Sequence, residues 1–308
     1  MEAVLLTEKG GFYRKRVKKG IDLAGMRTQE LRRLAESDAP VLAFEFSRLE
    51  ETDWAPRHRH ARGQLFALTQ GLLVVEAAGG RWMFPSRRCA WIPPQCLHQA
   101  RSVGGAAGAM LYFSPEVSRG LPTEPRVLGS SELLFEIVSR ILDWGNPQSV
   151  GDPERRLLAV LQDEIRRPEE PGLRLPLPKQ AKLARVARAV LQDAADNRTL
   201  DDWAKEMGMA RRTFMRAFSR EMGMPFGRWR QQVRLFASLE MLAQGSSTTD
   251  VAIAVGYSSV SAFNEVFRAA LGTAPQAYFG RGKRSAPAQS EEILRGHWEW
   301  REDDSSPE

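Results

Sequence analysis

The chain has 308 residues, a formal net charge of +6, and 43% hydrophobic and 27% charged residues, the balance of an ordinary soluble protein long enough for two cores. No run approaches the roughly 18 apolar residues of a membrane helix, and the N-terminal MEAVLLTEKGGFYRKRVKKG carries charge where a signal peptide needs an apolar centre, so a cytoplasmic location is expected. Cys89 and Cys96 are the only cysteines, which excludes a disulfide framework and agrees with a reducing compartment.

In chain order, residues 1–40 are basic and weakly patterned, with one short helical candidate at 28–36. From Val41 the pattern changes to alternating and short apolar runs at 41–46, 64–68, 72–76, 82–84, 90–92 and 109–113, separated by glycine and proline. Short strands with frequent turns predict a small β-sandwich or barrel. Segments 131–144 and 153–166 have helical spacing, and Asp152 followed by Pro153 reads as an N-cap and first helical position. Four prolines within 168–178 predict a semi-rigid linker that breaks every regular element. Helical text resumes at about 181 and runs to 279, and the polar, acidic tail from Gly280 is expected to be disordered unless His297-Trp298-Glu299-Trp300 docks. The expected parsing is an extension (1–40), a β-rich domain with trailing helices (41–167, barrel 41–115, helices 131–166), a linker (168–178), an all-helical domain (179–279) and a tail (280–308).

The charge is uneven along this parsing. Residues 179–284 hold 17 Lys and Arg against 9 Asp and Glu, a net of +8, whereas residues 285–308 hold 2 against 7 and residues 1–178 hold 25 against 22. A local basic excess suits a module facing a polyanion. A solvated basic surface has the same charge, so the motif must decide.

That motif is a repeat. Ala204-Lys205-Glu206-Met207-Gly208-Met209 aligns with Ala252-Ile253-Ala254-Val255-Gly256-Tyr257 at an offset of 48, and the offset grows to 49 at the phenylalanines that follow. Thr199 can cap the first helix, Gly208 and Gly256 supply the positive φ of a tight inter-helix turn, and the second turn is one residue longer. Phe214, Ala217 and Phe218 form the buried stripe of the first reading helix, and Phe263, Val266 and Phe267 that of the second. Arg211, Arg212, Thr213, Met215, Arg216 and Ser219 are left facing outward on the first, and Ser259, Ser261, Asn264, Glu265 and Arg268 on the second. Arginine binds guanine O6/N7 and asparagine binds adenine N6/N7 in bidentate fashion, so the first head suits guanine and phosphate and the second a finer selection. Residues 225–244 read as a helix of roughly 30 Å, a strut that suits heads in major grooves about 34 Å apart. A helical bundle also uses glycine turns and apolar stripes; the doubled Ala, Gly, Phe and Phe pattern separates the repeat from a generic bundle.

Residues 184–279 resemble the DNA-binding domain of AraC/XylS-type transcription regulators. The match is strongest over 250–278, DVAIAVGYSSVSAFNEVFRAALGTAPQAY, ending in the family's Gly-x-x-Pro-x-x-Tyr close at Gly272, Pro275 and Tyr278. The resemblance implies a two-headed DNA-binding domain governed by a separate sensor domain. Glu265 departs from it, standing where a basic residue is often found.

His58, His60 and His98 are three of only four histidines. Histidines at i and i+2 on a strand share a face and can bind one ion, and a third from a later strand completes a facial set with open positions. The pattern resembles the two metal motifs of the cupin barrel, and the N-terminal half is similar to the sensor domain of cupin-bearing AraC-type regulators. By that resemblance His58, His60 and His98 occupy ligand positions, Gln64 stands where metal-binding cupins usually have glutamate, and Gln95 where they have glycine. Three readings stay open: a divalent metal site, a polar pocket that binds a small-molecule effector directly, and a structural remnant. Phe66, Trp82, Met83 and Trp91 are candidates to line the same cavity. The helices at 131–144 and 153–166 either pack on the barrel or, as the resemblance implies, form a dimer interface.

The fold expected is therefore α+β, an N-terminal cupin-like β-barrel plus a C-terminal all-α domain with two helix-turn-helix motifs. The function expected is a sequence-specific transcription regulator, activator or repressor, and not an enzyme. Its expected partners are double-stranded DNA, a small-molecule or metal effector, RNA polymerase and a second copy, with no membrane. The competing expectation is a cupin metalloenzyme of dioxygenase or isomerase type with an accessory nucleic-acid-binding domain. Gln64 in place of a carboxylate, and no evident general acid or base beside the histidines, argue against it.

Overall fold

The computed structural model describes residues 37–49, 57–129, 131–168 and 174–278, so the helical candidate at 28–36 and the tail at 280–308 lie outside the described residues. Strands β1 (Val41–Leu49), β2 (Gly63–Ala77), β3 (Gly80–Pro85), β4 (Cys89–Ile92), β5 (His98–Phe113), β6 (Arg126–Leu128) and β7 (Arg174–Pro176) form one sheet of order β1-β5-β2-β3-β7, with β4 paired to β2 and β6. Every pairing is antiparallel. Side-chain alternation sorts the sheet into two faces. Leu65, Ala67, Cys89, Trp91, Leu111 and Phe113 enter one apolar cluster, while Phe66, Leu68, Ala90, Ile92, Met110 and Tyr112 enter another.

Helices α1 (Glu132–Leu142) and α2 (Asp152–Arg166) cover the first face with Leu134, Ile137, Val138, Ile141, Leu158, Leu161 and Ile165, all nearly inaccessible. Each such side chain contributes about 1.5–3 kcal/mol by leaving water. Ser131 caps α1 by accepting from the Leu134 N–H. In α2 the cap is Gly151 and not Asp152, which lies inside the first turn beside Pro153.

Two short predicted strands, 64–68 and 72–76, are one strand, β2, whose pairing with β5 shifts register between Leu68 and Leu72. The predicted 109–113 segment is only the end of β5, which starts at His98. Gly104, Gly105 and Gly108, mixed with polar residues, hide its first half from an apolar pattern. The proline-rich 168–178 segment does not break every regular element: β7 pairs with β3 through Arg81 and Leu175, and Leu175 is fully buried. An edge strand tolerates Pro176 because proline's missing N–H faces no ladder partner there.

The rest is helical: α3 (Ala181–Gln192), α4 (Leu200–Glu206), α5 (Arg211–Met222), α6 (Phe226–Ala243), α7 (Thr248–Ala254), α8 (Val260–Leu271) and α9 (Pro275–Tyr278). Helix α6 packs against β2, β5 and β7, so one apolar core runs from Leu72, Val103 and Leu175 into Trp229, Phe236 and Leu239. The Trp229 indole N–H donates to the Pro176 carbonyl at 2.8 Å. At the other end of α6 the backbones nearly touch: a Cβ on Gly104 would fall 2.2 Å from the Ala243 carbonyl oxygen. Between these points Arg101 of β5 and Glu240 of α6 form an ion pair of 2.7 Å, their side chains 5% and 16% exposed. No described helix is long and apolar enough to cross a membrane.

Candidate nucleic-acid interface and histidine pocket

The sequence repeat is repeated in backbone geometry. After α4, Gly208 N–H donates to the Lys205 carbonyl and Met209 N–H to that of Ala204; after α7, Gly256 does so to Ile253 and Tyr257 to Ala252. Gly208 and Gly256 have φ of 61° and 80°, the left-handed values that the turns were expected to need. The cap residues of the reading helices, Ala210 for α5 and Ser259 for α8, carry the predicted one-residue slip, as do the left-handed C-caps Gly223 and Gly272. Thr199 and Asp202 form a full capping box on α4. On α7 the cap is Ser247, accepting from Asp250 N–H.

Each reading helix is anchored by aromatics. Phe214 and Phe218 meet Phe226 and Trp229 edge-on, and Phe263 and Phe267 meet Tyr257 and Tyr278. The Gly-x-x-Pro-x-x-Tyr close is thus a stop and a clamp: Gly272 ends α8, Pro275 is buried, and Tyr278 returns onto Phe267. Helix α6, with 18 residues, is the expected strut at about 27 Å. Arg234, on α6, was not singled out from sequence. It donates to the carbonyls of Ala194 and Gly256 and to Asn197 Oδ1, tying the second turn to the loop before α4.

Opposite the phenylalanines, Arg212, Thr213, Met215 and Arg216 are exposed on α5, and Ser261, Glu265 and Arg268 on α8, with Asn264 half-buried between them. Two predicted contact residues also have partners within the domain. Arg211 is held by Asp201 at 2.8 Å, and Ser259 Oγ accepts from the Ala262 N–H as the α8 cap. Neither pairing was legible, because both depend on how the helix begins in space.

In the sensor half, His58, His60 and His98 converge. Their ring centroids lie 4.4 to 5.9 Å apart, and one ligand nitrogen from each lies within 4.8 Å of the others. His58 is not on a strand, as expected, but in an isolated bridge that exchanges both backbone hydrogen bonds with His98. His60 Nδ1 meets the Arg62 carbonyl at 2.6 Å, and His98 Nδ1 meets that of Cys96 at 2.9 Å. A carbonyl only accepts, so both Nδ1 atoms carry a proton, and in the neutral rings the Nε2 atoms are left to act as ligands. Burial lowers the pKa of His60 below its ordinary value and that of His98 to about 3. Gln64 places Oε1 3.3 Å from His60 Nε2 and donates from Nε2 to the Tyr112 hydroxyl at 2.9 Å. Gln95, at the family's glycine position, has φ of 61°.

Of the predicted cavity lining, Phe66 shares the Gln64 face of the sheet and Trp82 and Met83 join its cluster. Trp91 does not. It is fully buried on the opposite face, beneath the helices, against Phe113 and with its N–H on the Pro122 carbonyl.

Two reading helices on a common strut, joined to a sheet domain with a cluster of three histidines, define a two-headed DNA-binding regulator with a sensor domain. The chain belongs to the AraC family of transcription regulators: the profile described as AraC-like ligand binding domain matches residues 41–198, and a helix-turn-helix domain profile matches 203–281. Among curated proteins it is 29% identical over 227 residues to the HTH-type transcriptional regulator NimR of Escherichia coli, covering 74% of this chain and 83% of that one. It is 31% identical over 103 residues to the HTH-type transcriptional regulator RipA of Corynebacterium glutamicum, covering 33% of this chain and 31% of that one. Among solved structures it aligns with ToxT of Vibrio cholerae over 78% of this chain and 98% of that one, at 12% identity and a TM-score of 0.34.

Proposed function

We propose that this regulator answers to a first-row transition-metal dication held by His58, His60 and His98, with Gln64 as an oxygen donor, and that it is not an enzyme. The observation that carries the reading is the convergence of three imidazoles, with nitrogens within 4.8 Å of one another, at a site where burial disfavours protonation of His60 and His98. Metal binding needs deprotonated ligands, and the Arg62 and Cys96 carbonyls already orient two of these rings. The four donors are all neutral, which makes for reversible occupancy. Among the described residues no carboxylate joins the cluster, so the donor set carries no charge of its own.

In this proposal β5 carries the signal. It begins at His98, passes Arg101 and Gly104, and meets α6, the strut that sets both heads. Gel-shift titrations against fragments around the chain's own gene, with Zn²⁺ added or chelated, test it. Specific shifts whose midpoint moves with Zn²⁺ are expected; binding indifferent to the metal would remove the sensor assignment.

On the DNA side, Arg212 and Arg216 are exposed, opposite the buried stripe. Arg212→Ala should relax base preference at one position at a cost of about 1–3 kcal/mol. If Arg216 contacts phosphate instead, its loss lowers the salt slope by about one and leaves preference intact. A binding-site selection run at two salt concentrations separates the two outcomes.

Self-association belongs to the same reading, as does RNA polymerase as the machinery such a regulator addresses. Leu133 on α1 and Val160 on α2 are 51% and 40% exposed, on faces turned away from the sheet. Sedimentation equilibrium should show a dimer for the native chain and a monomer for Leu133→Glu with Val160→Glu. An unchanged mass would place the interface elsewhere.

A further inference from the structure

Carboxylates in the helical domain are mostly tied to neighbours. Asp201 holds Arg211, Asp196 and Glu206 hold Arg198, Glu221 accepts from the backbone N–H groups of Lys179 and Gln180, and Glu240 holds Arg101. Glu265 differs. It is exposed on α8 and makes no hydrogen bond or ion pair among the described residues, although Arg268 stands one turn away on the same face. Ser261, Asn264, Glu265, Arg268 and Ala269 line one shallow concavity. Asn264 Oδ1 is buried there without a hydrogen-bond partner, alone among the described side-chain oxygens of the two reading helices.

A carboxylate on a DNA-facing helix is repelled by every phosphate, and it only accepts hydrogen bonds. In the major groove the available base donors are the amino groups of cytosine N4 and adenine N6, and carboxylates characteristically take the former. At the equivalent place the first head carries Arg216, which only donates. The two heads are therefore opposite in hydrogen-bond chemistry at the offset of 49 that their helix caps share.

We propose that Glu265 determines specificity in the second head by accepting from the 4-amino group of a cytosine, while its charge lowers affinity for duplexes that present no amino group there. This rests on α8 entering the groove as the DNA-side reading above has it. The position suits a test, because Glu265 is exposed and its replacement leaves Phe263 and Phe267 in place.

Duplexes selected from a random pool by the full-length chain should show one cytosine column in the half of the site read by α8. Glu265→Ala should flatten that column, losing about tenfold preference, and leave the other columns unchanged. A duplex whose cytosine is replaced by pyrimidin-2-one, which lacks the 4-amino group, should bind the native chain about tenfold more weakly and should bind Glu265→Ala like the parent duplex. Two results overturn the assignment: a uniform gain in affinity with an unchanged profile, which makes the carboxylate a repulsive element only, or a column that selects adenine. Arg212→Ala, run in parallel, reports on the heads themselves. A changed column elsewhere in the site upholds their placement in the groove, and an unchanged profile removes that placement and the Glu265 assignment with it.

Discussion

Replacing His98 by asparagine should weaken Zn²⁺ binding by more than about 100-fold. Removing a partner that merely orients a metal ligand costs 10–100-fold, so losing the donor nitrogen itself exceeds that range. His98 is 2% exposed and its Nδ1 is fixed on the Cys96 carbonyl, so its Nε2 is held in a set position that the shorter asparagine does not reproduce. The converse substitution, Gln64→Glu, restores the charged donor of metal-binding cupins. A unit charge pair near 4 Å at an effective dielectric of 20 is worth about 4 kcal/mol, and desolvation of the carboxylate takes back part of it, so a tightening of at least about tenfold is expected. Competition against a chromophoric chelator measures both. Because burial keeps the pKa of His60 below 6.5 and that of His98 near 3, acid competes poorly for these nitrogens, and loading should hold as pH falls toward 6.5. Native-like affinity in His98→Asn would end the metal reading.

The second large effect concerns the joint between sheet and strut. Arg101→Met should destabilise the chain by about 3–5 kcal/mol, because it leaves the mostly buried Glu240 carboxylate without its partner. Removing both charges, with Arg101→Met and Glu240→Met, should recover most of that loss, since a packed apolar pair replaces an ion pair at little cost. Urea unfolding gives the stabilities. The double variant also isolates signalling from folding. If β5 carries metal occupancy to α6 through this pair, the stable double variant should bind DNA with equal affinity in the presence and absence of Zn²⁺. Allosteric couplings are typically 5–150-fold, well within the reach of a gel-shift titration. A double variant that keeps the full metal response would place the route elsewhere, with Trp229 and its bond to the Pro176 carbonyl as the remaining contact of comparable order.

The DNA-binding half was the more legible because its signals are local. A glycine at left-handed φ, a threonine with an aspartate three residues on, and phenylalanines four apart each act within one or two turns of helix. Their doubling in sequence became a doubling of backbone hydrogen bonds. What the sequence did not show there were contacts between helices: Asp201 pairing with Arg211, and Arg234 donating to carbonyls of two separate loops. The sensor half was less legible for the same reason. Strand lengths, the register shift in β2 and the sheet role of β7 are set by partners distant in the chain, and the face occupied by Trp91 follows from that register.

By itself, then, the sequence determined the two-headed helical module and its exposed faces, since periodicity, capping and turn chemistry are written in neighbouring residues, while the family followed from the resemblance of its motifs. It also supplied the three histidines, but not their meeting. His58 and His98 are brought together by a pair of backbone hydrogen bonds across forty residues of chain. Only the tertiary structure decided that the strut lies on the sensor sheet, with Arg101, Glu240, Gly104 and Ala243 at the joint. No local pattern encodes such a contact: a buried ion pair and a glycine's close approach gain their meaning only when two distant surfaces exclude water from between them.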